Sequence, residues 1–430
     1  MKRYRWTLVL LFMVGAVLPS AAQQNLIVRD NLGLGGLKLT CFVLNCKVGN
    51  NLGDPAGQLF LVTVGGSVNL NSFLTLLLNQ VGVVNAEVDQ QLFLVAAAAG
   101  PVPESLTDST PLPYYGTLVW DGYVNQPAAV IIRVLETQST FNVAGAGTVA
   151  MIDTGVDTQH PALVPVLVPG YNFINNTPSG SEMGDINQSS AAVLDGAAPN
   201  DVNSSTVAVV SQSSAAVLDG GGYSAFGHGT MTAGIVHLVA PTANIMPLKA
   251  FAADGTGYVS NIIRATYYAV QHGGKVISMS FSFSPSSNEM ATAINYANSQ
   301  GLICVASVGN NGADVLVYPA ALTNVMGVAS TTDYDTPSSF SNYGPDVWVA
   351  APGEGIVSTY PYGTYAAGWG TSFSAPFVSG TAALLVNVSA NVNQQSAAAA
   401  IANAQPISGT GMGNGQLDTY QAVQAWLAVQ

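Results

Sequence analysis

The sequence predicts an α/β fold, a parallel sheet with helices on both faces, preceded by a small α+β unit. Beyond about residue 143, apolar strand-like runs alternate with helical stretches at 259–272 and 289–300; the runs are 148–152, 245–250, 275–279, 302–307 and 324–329. Continuous apolar strands separated by helices are typical of a parallel sheet covered on both faces. The small unit is predicted from strand patterns at 59–64 and 83–88, on either side of an apolar stretch at 70–78 that is a helix or a second core segment.

The composition excludes several classes of protein. The chain has 430 residues, of which 49% are hydrophobic and 8% charged, with a formal net charge of −13 and 3 cysteines. Disordered chains are charged and poor in apolar residues, nucleic-acid binders carry a basic face, and disulfide scaffolds need many more cysteines. We therefore expect a globular protein with a full core and no nucleic-acid partner.

Residues 1–22 have the pattern of an export signal. Lys2, Arg3 and Arg5 form a basic start, an apolar run follows at 7–18, and small residues at 20–22 suit cleavage. The alternative is a membrane anchor, but the run is shorter than the ~20 residues that a spanning helix needs. We expect a secreted protein, extracellular or periplasmic, without a stable membrane anchor.

The three cysteines predict little chemistry. In an oxidising compartment Cys41 and Cys46 could pair with each other, and Cys304 lies in an apolar stretch that predicts a small buried residue. We expect no metal ligand or catalytic thiol among them.

Two segments interrupt the regular pattern. Residues 101–120 begin with a proline-rich stretch that disfavours helix and sheet, so we expect an exposed linker that contains a proteolytic maturation site. An insertion at about 175–222 carries the same nine residues at 188–196 and 212–220. We interpret it as a duplicated surface insertion. The alternative is a cation site, whose candidate ligands are Asp185, Asp195, Asp201 and Asp219.

Three further segments place a reactive side chain at the end of a strand or the start of a helix. Asp153 ends an apolar strand, His228 stands between two glycines before a helical run, and Ser372 opens a helix of small residues. Each has an ordinary interpretation as well, since Asp and Ser often cap helices and a histidine can be structural. A helix start also supplies backbone N–H groups that suit an oxyanion.

Together these segments resemble the subtilisin-like serine peptidases, or subtilases. The motifs are Asp-Thr-Gly at 153–155, His-Gly-Thr at 228–230 and Gly-Thr-Ser-x-Ser-x-Pro at 370–376, in the family's order. The resemblance implies that Ser372, and not Ser374, is the nucleophile. His228 would be its general base, and Asp153 would orient that histidine and stabilise its charge.

The resemblance extends over about residues 121–430 and implies further site residues. Asn310 matches the asparagine whose amide donates to the oxyanion together with the Ser372 N–H. The implied substrate-binding residues are Gly255, Thr256, Gly257, Ser280, Phe281, Ser282, Phe283 and Tyr318, and the family has a cis proline at the position of Pro319.

The resemblance also gives the N-terminal unit, residues 23–100, a role. It implies an inhibitory pro-region that acts as a folding template and is removed by the enzyme itself. The alternative is a lasting adhesion or targeting domain.

Several positions depart from the family pattern. A second histidine after His228 is replaced by Met231, and Ala162 stands where relatives have a calcium-binding aspartate. We expect no catalytic metal and no cofactor for the chemistry, and a structural calcium is possible but unsupported. Ser282 and Phe283 replace two glycines, which predicts a reshaped primary pocket. The remaining histidines, His160, His237 and His272, are expected in turns or at the surface.

The predicted function is that of a secreted serine endopeptidase that forms an acyl-enzyme on Ser372 and processes its own precursor. Its partners would be protein or peptide substrates and its own pro-region. The alternative is a catalytically silent subtilase-fold protein that binds or scaffolds. An esterase is excluded, because the Gly-x-Ser-x-Gly motif is missing around Ser372 and the Asp-His-Ser order contradicts that fold.

Overall fold

The computed structural model describes residues 23–94, 100–185, 208–211, 224–409 and 411–429. The signal segment at 1–22 and both nine-residue repeats lie outside the described residues, as do Asp195, Asp201 and Asp219. The chain divides into two compact units; the first runs to Asn50 and resumes over Phe60–Val88, and the second comprises Asn51–Leu59 and Asp89–Gln430.

The first unit has the order β-α-β-β-α-β of a split β-α-β fold. Its elements are β1 (Gln24–Asp30), α1 (Gly33–Leu44), β2 (Lys47–Asn51), β3 (Leu59–Val64), α2 (Leu70–Leu78) and β4 (Val83–Val88). The sheet order is β2-β3-β1-β4, and β1 pairs antiparallel with β4. The predicted elements at 59–64, 70–78 and 83–88 are confirmed at the same bounds. The Cys41–Cys46 disulfide is also confirmed, and it closes the turn after α1.

The expected linker is structured, so that prediction is wrong for most of its length. The second unit continues with β5 (Gln91–Phe93), a 3₁₀ helix at Glu104–Thr107, and the hairpin of β6 (Pro111–Tyr114) and β7 (Thr117–Trp120). Leu106, Tyr114 and Val119 are buried. Proline is compatible with a strand that lies outside a sheet interior, so the proline content of this segment did not exclude the β6–β7 hairpin. The cleavage expected within 101–120 stays a prediction.

The main sheet confirms the predicted parallel architecture. Within the described ranges it has the order β16-β15-β14-β13-β8-β11-β9, and every neighbouring pair is parallel. Its strands are β8 (Thr148–Asp153), β9 (Tyr171–Asn172), β11 (Asn244–Lys249), β13 (Val276–Met279), β14 (Ile303–Ser307), β15 (Met326–Thr331) and β16 (Val347–Pro352). Residues 149–153 of β8 are all buried, and because successive residues of a strand point to opposite faces, both faces of this strand are covered.

Several helices of the second unit pack on this sheet and supply that cover. The described helices of the unit are α3 (Asp121–Val124), α4 (Pro127–Ile131), α5 (Val134–Phe141), α6 (His228–Val239), α7 (Val259–Gln271), α8 (Asn288–Ser299), α9 (Thr371–Val388), α10 (Gln394–Ile401) and α11 (Thr419–Leu427). By length and composition α9 could cross a membrane, but 89% of it is buried in the protein. It is therefore a core helix, and it packs with α6 in the main hydrophobic core.

Two smaller sheets complete the second unit. β10 (Ala208–Ser211) pairs parallel with β18 (Thr364–Trp369), which pairs antiparallel with β17 (Ile356–Tyr360). β12 (Thr256–Tyr258) pairs antiparallel with β5. In the main sheet, β8 has β11 on one side and β13 on the other, so the strand order reverses there. Open α/β sheets bind ligands at the carboxyl edge of such a switch point.

Candidate active site

Asp153 lies at the carboxyl end of β8, at this switch point, and is paired with His228. Its Oδ1 accepts hydrogen bonds from Nδ1 of His228 at 2.6 Å and from the Thr154 N–H at 2.7 Å. Its Oδ2 accepts one from Oγ1 of Thr232 at 3.1 Å. Asp153 is 2% exposed and His228 4% exposed, so the pair lies in an environment with little water to screen it.

The pairing fixes the tautomer of His228. An ionised carboxylate can accept but not donate, so the proton of the neutral imidazole lies on Nδ1. Nε2 then carries the lone pair that can accept a proton. The pair is therefore arranged for general-base chemistry at Nε2.

The glycines of the two motifs allow this close approach. A Cβ on Gly229 would overlap the carbonyl oxygen of Gly155, and one on Gly227 would overlap the ring of Tyr360. Gly155 has a φ of +99°, which also favours glycine. The contact of Gly229 with Gly155 therefore brings the end of β8 and the start of α6 together, and Gly227 lets Tyr360 pack beside the helix start.

Ser372 is the second residue of α9, at the positive end of the helix. Its Oγ donates to the carbonyl oxygen of Ser280 at 3.0 Å, and the Oγ of Ser280 donates back to the carbonyl oxygen of Ser372 at 2.9 Å. Ser374 is fully buried and donates to the carbonyl oxygen of Pro352 at 3.1 Å. The hydroxyls of the two serines of the motif therefore have different hydrogen-bond partners.

Asn310 follows β14 and is held by the residue before Ser372. Its Oδ1 accepts from the N–H of Thr371 and from Oγ1 of Thr371, both at 2.9 Å. Because a backbone N–H can only donate, the amide oxygen must face Thr371, and Nδ2 is the donor end of the amide. Thr371 was not singled out from the sequence, although it directly precedes Ser372.

The expected substrate edge at Gly255–Gly257 carries an extended segment of the same unit. Strand β5 pairs with β12 in the register Thr256 to Phe93 and Gly257 to Leu92. The N–H of Leu94 donates to the carbonyl oxygen of Gly255 at 3.0 Å. An edge that accepts a strand in this way suits recognition of extended peptides by strand addition.

Asp89 anchors the start of that segment at the N-terminus of α7. Its Oδ1 accepts from the Ser260 N–H at 2.9 Å and its Oδ2 from the Ser260 Oγ at 2.8 Å. The carbonyl oxygen of Gln90 accepts from the N–H of Val259 at 3.1 Å. A carboxylate at a helix N-terminus caps backbone donors and interacts favourably with the helix dipole.

The remaining expected substrate residues lie in two segments, 280–283 and Tyr318, that are linked to each other by backbone hydrogen bonds. Phe281 packs against Phe251, with ring centroids 5.1 Å apart. Phe283 and Tyr318 exchange two backbone hydrogen bonds of 2.9 Å, and the Tyr318–Pro319 peptide bond is cis as the resemblance implied. Ser282 lies beside Gly309, since a Cβ on that glycine would be 3.0 Å from the Ser282 hydroxyl.

The expectation that the remaining histidines lie in turns or at the surface is wrong for His237, which is buried in α6. His160 does lie at a turn, where its backbone N–H donates to the carbonyl oxygen of Asp157 at 3.1 Å, but it is buried as well. Nδ1 of His237 is 3.0 Å from the Tyr123 hydroxyl, and Nε2 of His160 is 3.0 Å from the carbonyl oxygen of Thr364. Burial lowers the pKa of His237 to about 4 and also lowers that of His160. His272 is exposed and stacks on Tyr268.

Asp185, the described candidate for a cation site, is paired with a lysine instead. Its Oδ2 accepts from Nζ of Lys249 at 2.6 Å, so the cation interpretation loses this ligand. Among the described residues, no group of three or more His, Cys, Asp or Glu side chains could hold a metal ion.

Comparison with known proteins shows the family of the chain. The model of the subtilase family matches residues 145–422. Thermitase of Thermoactinomyces vulgaris is 36% identical over 67% of this chain and 94% of its own length. The thermophilic serine proteinase of Bacillus sp. (strain AK1) is 35% identical, over 64% of this chain and 61% of its own length.

Among solved structures, fervidolysin from Fervidobacterium pennivorans aligns with a TM-score of 0.71 at 21% identity, covering 94% of this chain and 61% of its own. At this identity the likeness shows the fold alone. The match of the family model and the identity to thermitase show more: the chain belongs to the subtilase family of serine endopeptidases.

Proposed function

We propose that this protein is a secreted subtilase that hydrolyses peptide bonds through an acyl-enzyme on Ser372, with His228 as general base and Asp153 as its partner. The observation that carries these roles is the 2.6 Å hydrogen bond between Asp153 and Nδ1 of His228. It leaves Nε2 as the basic nitrogen at the edge of the sheet where α9 presents Ser372.

In the acylation step, Nε2 of His228 takes the hydroxyl proton of Ser372 while Oγ bonds to the carbonyl carbon of the substrate. The carbonyl electron pair moves to oxygen, and the oxyanion accepts from the Ser372 N–H and from Nδ2 of Asn310. When the tetrahedral intermediate collapses, the C–N bond breaks and the imidazolium protonates the leaving amine. Asp153 stabilises that imidazolium without taking its proton.

In the deacylation step, water replaces the leaving amine. His228 takes a proton from the water as its oxygen bonds to the acyl carbon, and it returns a proton to Oγ of Ser372 as the ester bond breaks. The chemistry uses side chains and water, so we propose that it requires no metal or cofactor.

The substrate is proposed to be a protein or peptide in an extended conformation. Support comes from the edge of β12, which carries the strand Gln91–Phe93 through backbone hydrogen bonds. Backbone pairing reads the shape of a peptide, and alternate side chains meet pockets. Phe283 and Ser282, in place of two glycines, are proposed to narrow the primary pocket.

The N-terminal unit is proposed to be a pro-region that the enzyme removes. Residues 89–94 lie along β12 in the manner proposed for a substrate, anchored by Asp89 on α7. A segment bound there competes with substrates until it is released. The basic start and apolar run of residues 1–22 support export, and the maturation site is proposed to lie within 101–120.

Covalent labelling with a serine-directed phosphonate tests this proposal. We expect the processed wild type to be labelled on Ser372, and Ser372→Ala to be unlabelled. The matched control is Ser374→Ala, which changes the other serine of the motif and should retain the label. A folded, processed wild type that takes no label would contradict the proposal and favour a catalytically silent scaffold.

A further inference from the structure

Glu182 is a buried carboxylate that the catalytic steps above do not use. It is 0% exposed, although it lies in a segment rich in Gly and Ser, immediately before a 3₁₀ helix at Met183–Asp185. A charged group buried in this way needs several partners to compensate for its lost hydration. The residues that donate hydrogen bonds to the Glu182 carboxylate show which parts of the chain it connects.

The donors to Glu182 come from the immediate neighbours of Asp153 and His228. Oε2 accepts from Oγ1 of Thr154 at 3.0 Å and from the N–H of Gly227 at 2.8 Å. Oε1 accepts from the N–H of Thr230 at 3.3 Å and from the hydroxyl of the same residue. Thr154 follows Asp153 and Gly227 precedes His228, so a single carboxylate connects the end of β8 to the start of α6.

The two threonines extend the connection. Oγ1 of Thr154 accepts from the N–H of Gly229 at 3.0 Å, and Oγ1 of Thr230 accepts from the N–H of Asp157 at 2.7 Å. Both hydroxyls therefore accept a backbone N–H from the opposite segment while their own protons are directed to Glu182. Loss of the carboxylate would leave buried donors without an acceptor, which is more costly than loss of an exposed hydrogen bond.

Asp185, at the end of the 3₁₀ helix that follows Glu182, is also held by hydrogen bonds. Nζ of Lys249 donates to Oδ2 of Asp185 at 2.6 Å, to the carbonyl oxygen of Thr154 at 2.6 Å and to that of Phe251 at 2.8 Å. The N–H of Glu182 itself donates to the carbonyl oxygen of Val156 at 3.3 Å. Burial raises the pKa of Glu182 to about 7. The hydrogen bonds that Thr230, Gly227 and Thr154 donate to its carboxylate lower the pKa, as does the charge of Lys249, but burial has the larger effect.

We propose that Glu182 is a positioning residue for the Asp153–His228 pair, which holds the strand end and the helix start at the separation that proton transfer at His228 requires. The inference rests on the proposed function, since it matters for catalysis only if His228 is the base. Catalytic groups need placement within about 0.5 Å, and a displacement of about 1 Å can cost on the order of 100-fold in rate.

The test is Glu182→Gln in the full chain, because glutamine keeps the shape but turns one acceptor into a donor that faces other donors. The matched control is Glu289→Gln, at a buried glutamate in the first turn of α8. On a chromogenic peptide we expect kcat to fall at least about tenfold in Glu182→Gln with KM within about twofold, and the phosphonate to react more slowly by the same factor. The control should keep the wild-type kcat.

A kcat for Glu182→Gln equal to that of the control would overturn the inference. Failure of the proposed function is distinguishable, because then the wild type itself takes no phosphonate label.

A second measurement does not depend on processing or activity. The Nδ1–H proton of His228 is observed by NMR in the Ser372→Ala chain with and without Glu182→Gln. A shifted or lost signal supports the inference, and an unchanged signal overturns it. If the glutamine variant does not fold, the same signal is measured in Glu182→Asp, whose shorter side chain cannot reach all the donors.

Discussion

Protonation of the buried His237 is expected to destabilise the protein in mild acid. The Tyr123 hydroxyl donates to the carbonyl oxygen of Gly234 at 2.7 Å, so Nδ1 of His237 carries a proton that it donates to the Tyr123 oxygen. The neutral imidazole fits this core position, and the imidazolium would be a buried charge. Burial, with a smaller contribution from the nearby His160, lowers the pKa of His237 from 6.5 to about 4.

The sign and size of the effect follow from these pKa values. Between pH 6.5 and pH 4 the unfolded chain binds a proton at His237 more tightly than the folded protein, so stability falls as the pH falls. The pKa difference of about 2.5, at about 1.4 kcal/mol per pKa unit, corresponds to about 3–4 kcal/mol when the loss is complete. The loss begins near pH 6.5 and is complete just below pH 4.

The assay compares the free energy of unfolding of two chains, both with Ser372→Ala to prevent autolysis, one of which also carries His237→Asn. We expect the difference in stability between them to change by about 3 kcal/mol from pH 7 to pH 4, in favour of the asparagine chain. The control is His272→Asn, at an exposed histidine. A change of less than about 1 kcal/mol with His237→Asn would refute the reasoning.

Three further substitutions have expected outcomes. Asn310→Leu removes the amide donor and should lower kcat by roughly 100- to 1,000-fold, the loss found for such a donor in a subtilisin; an unchanged kcat would exclude Asn310 from the oxyanion hole. Thr232→Val removes the 3.1 Å bond to Asp153 and should cost about 1.5–3 kcal/mol of unfolding free energy, measured in the Ser372→Ala chain. An unchanged free energy of unfolding would show that this hydrogen bond makes no net contribution to stability. Phe283→Gly should enlarge the primary pocket and raise kcat/KM for peptides with bulky residues there, and kinetics with a series of such peptides would contradict this if the preference did not move.

The sheet could be predicted because parallel strands buried on both faces are continuous apolar runs. Helix α1 had no such signal: Leu37 and Cys41 are buried while Leu39 and Phe42 are exposed, so its sequence has no polar face to mark it. The linker prediction failed because proline content describes the backbone alone. It does not reveal that Leu106 packs into the core.

The three residues proposed as the catalytic triad could be singled out from the sequence because each lies in a short motif. Glu182 and Thr371 could not be, since they act through partners that the fold supplies: Glu182 contacts Gly227, 45 residues away, and Thr371 contacts Asn310, 61 residues away. The burial of His237 was missed for the same reason, because Tyr123 is 114 residues away in the chain.

The intact mass of the secreted protein, wild type beside Ser372→Ala under the same expression, tests the central claim most directly. We expect the wild type to have lost the N-terminal unit, with a new start within 101–120, while Ser372→Ala retains the unit. If both folded proteins keep the same mass, with all residues after the signal segment, then Ser372 does not process this chain and the central claim is contradicted.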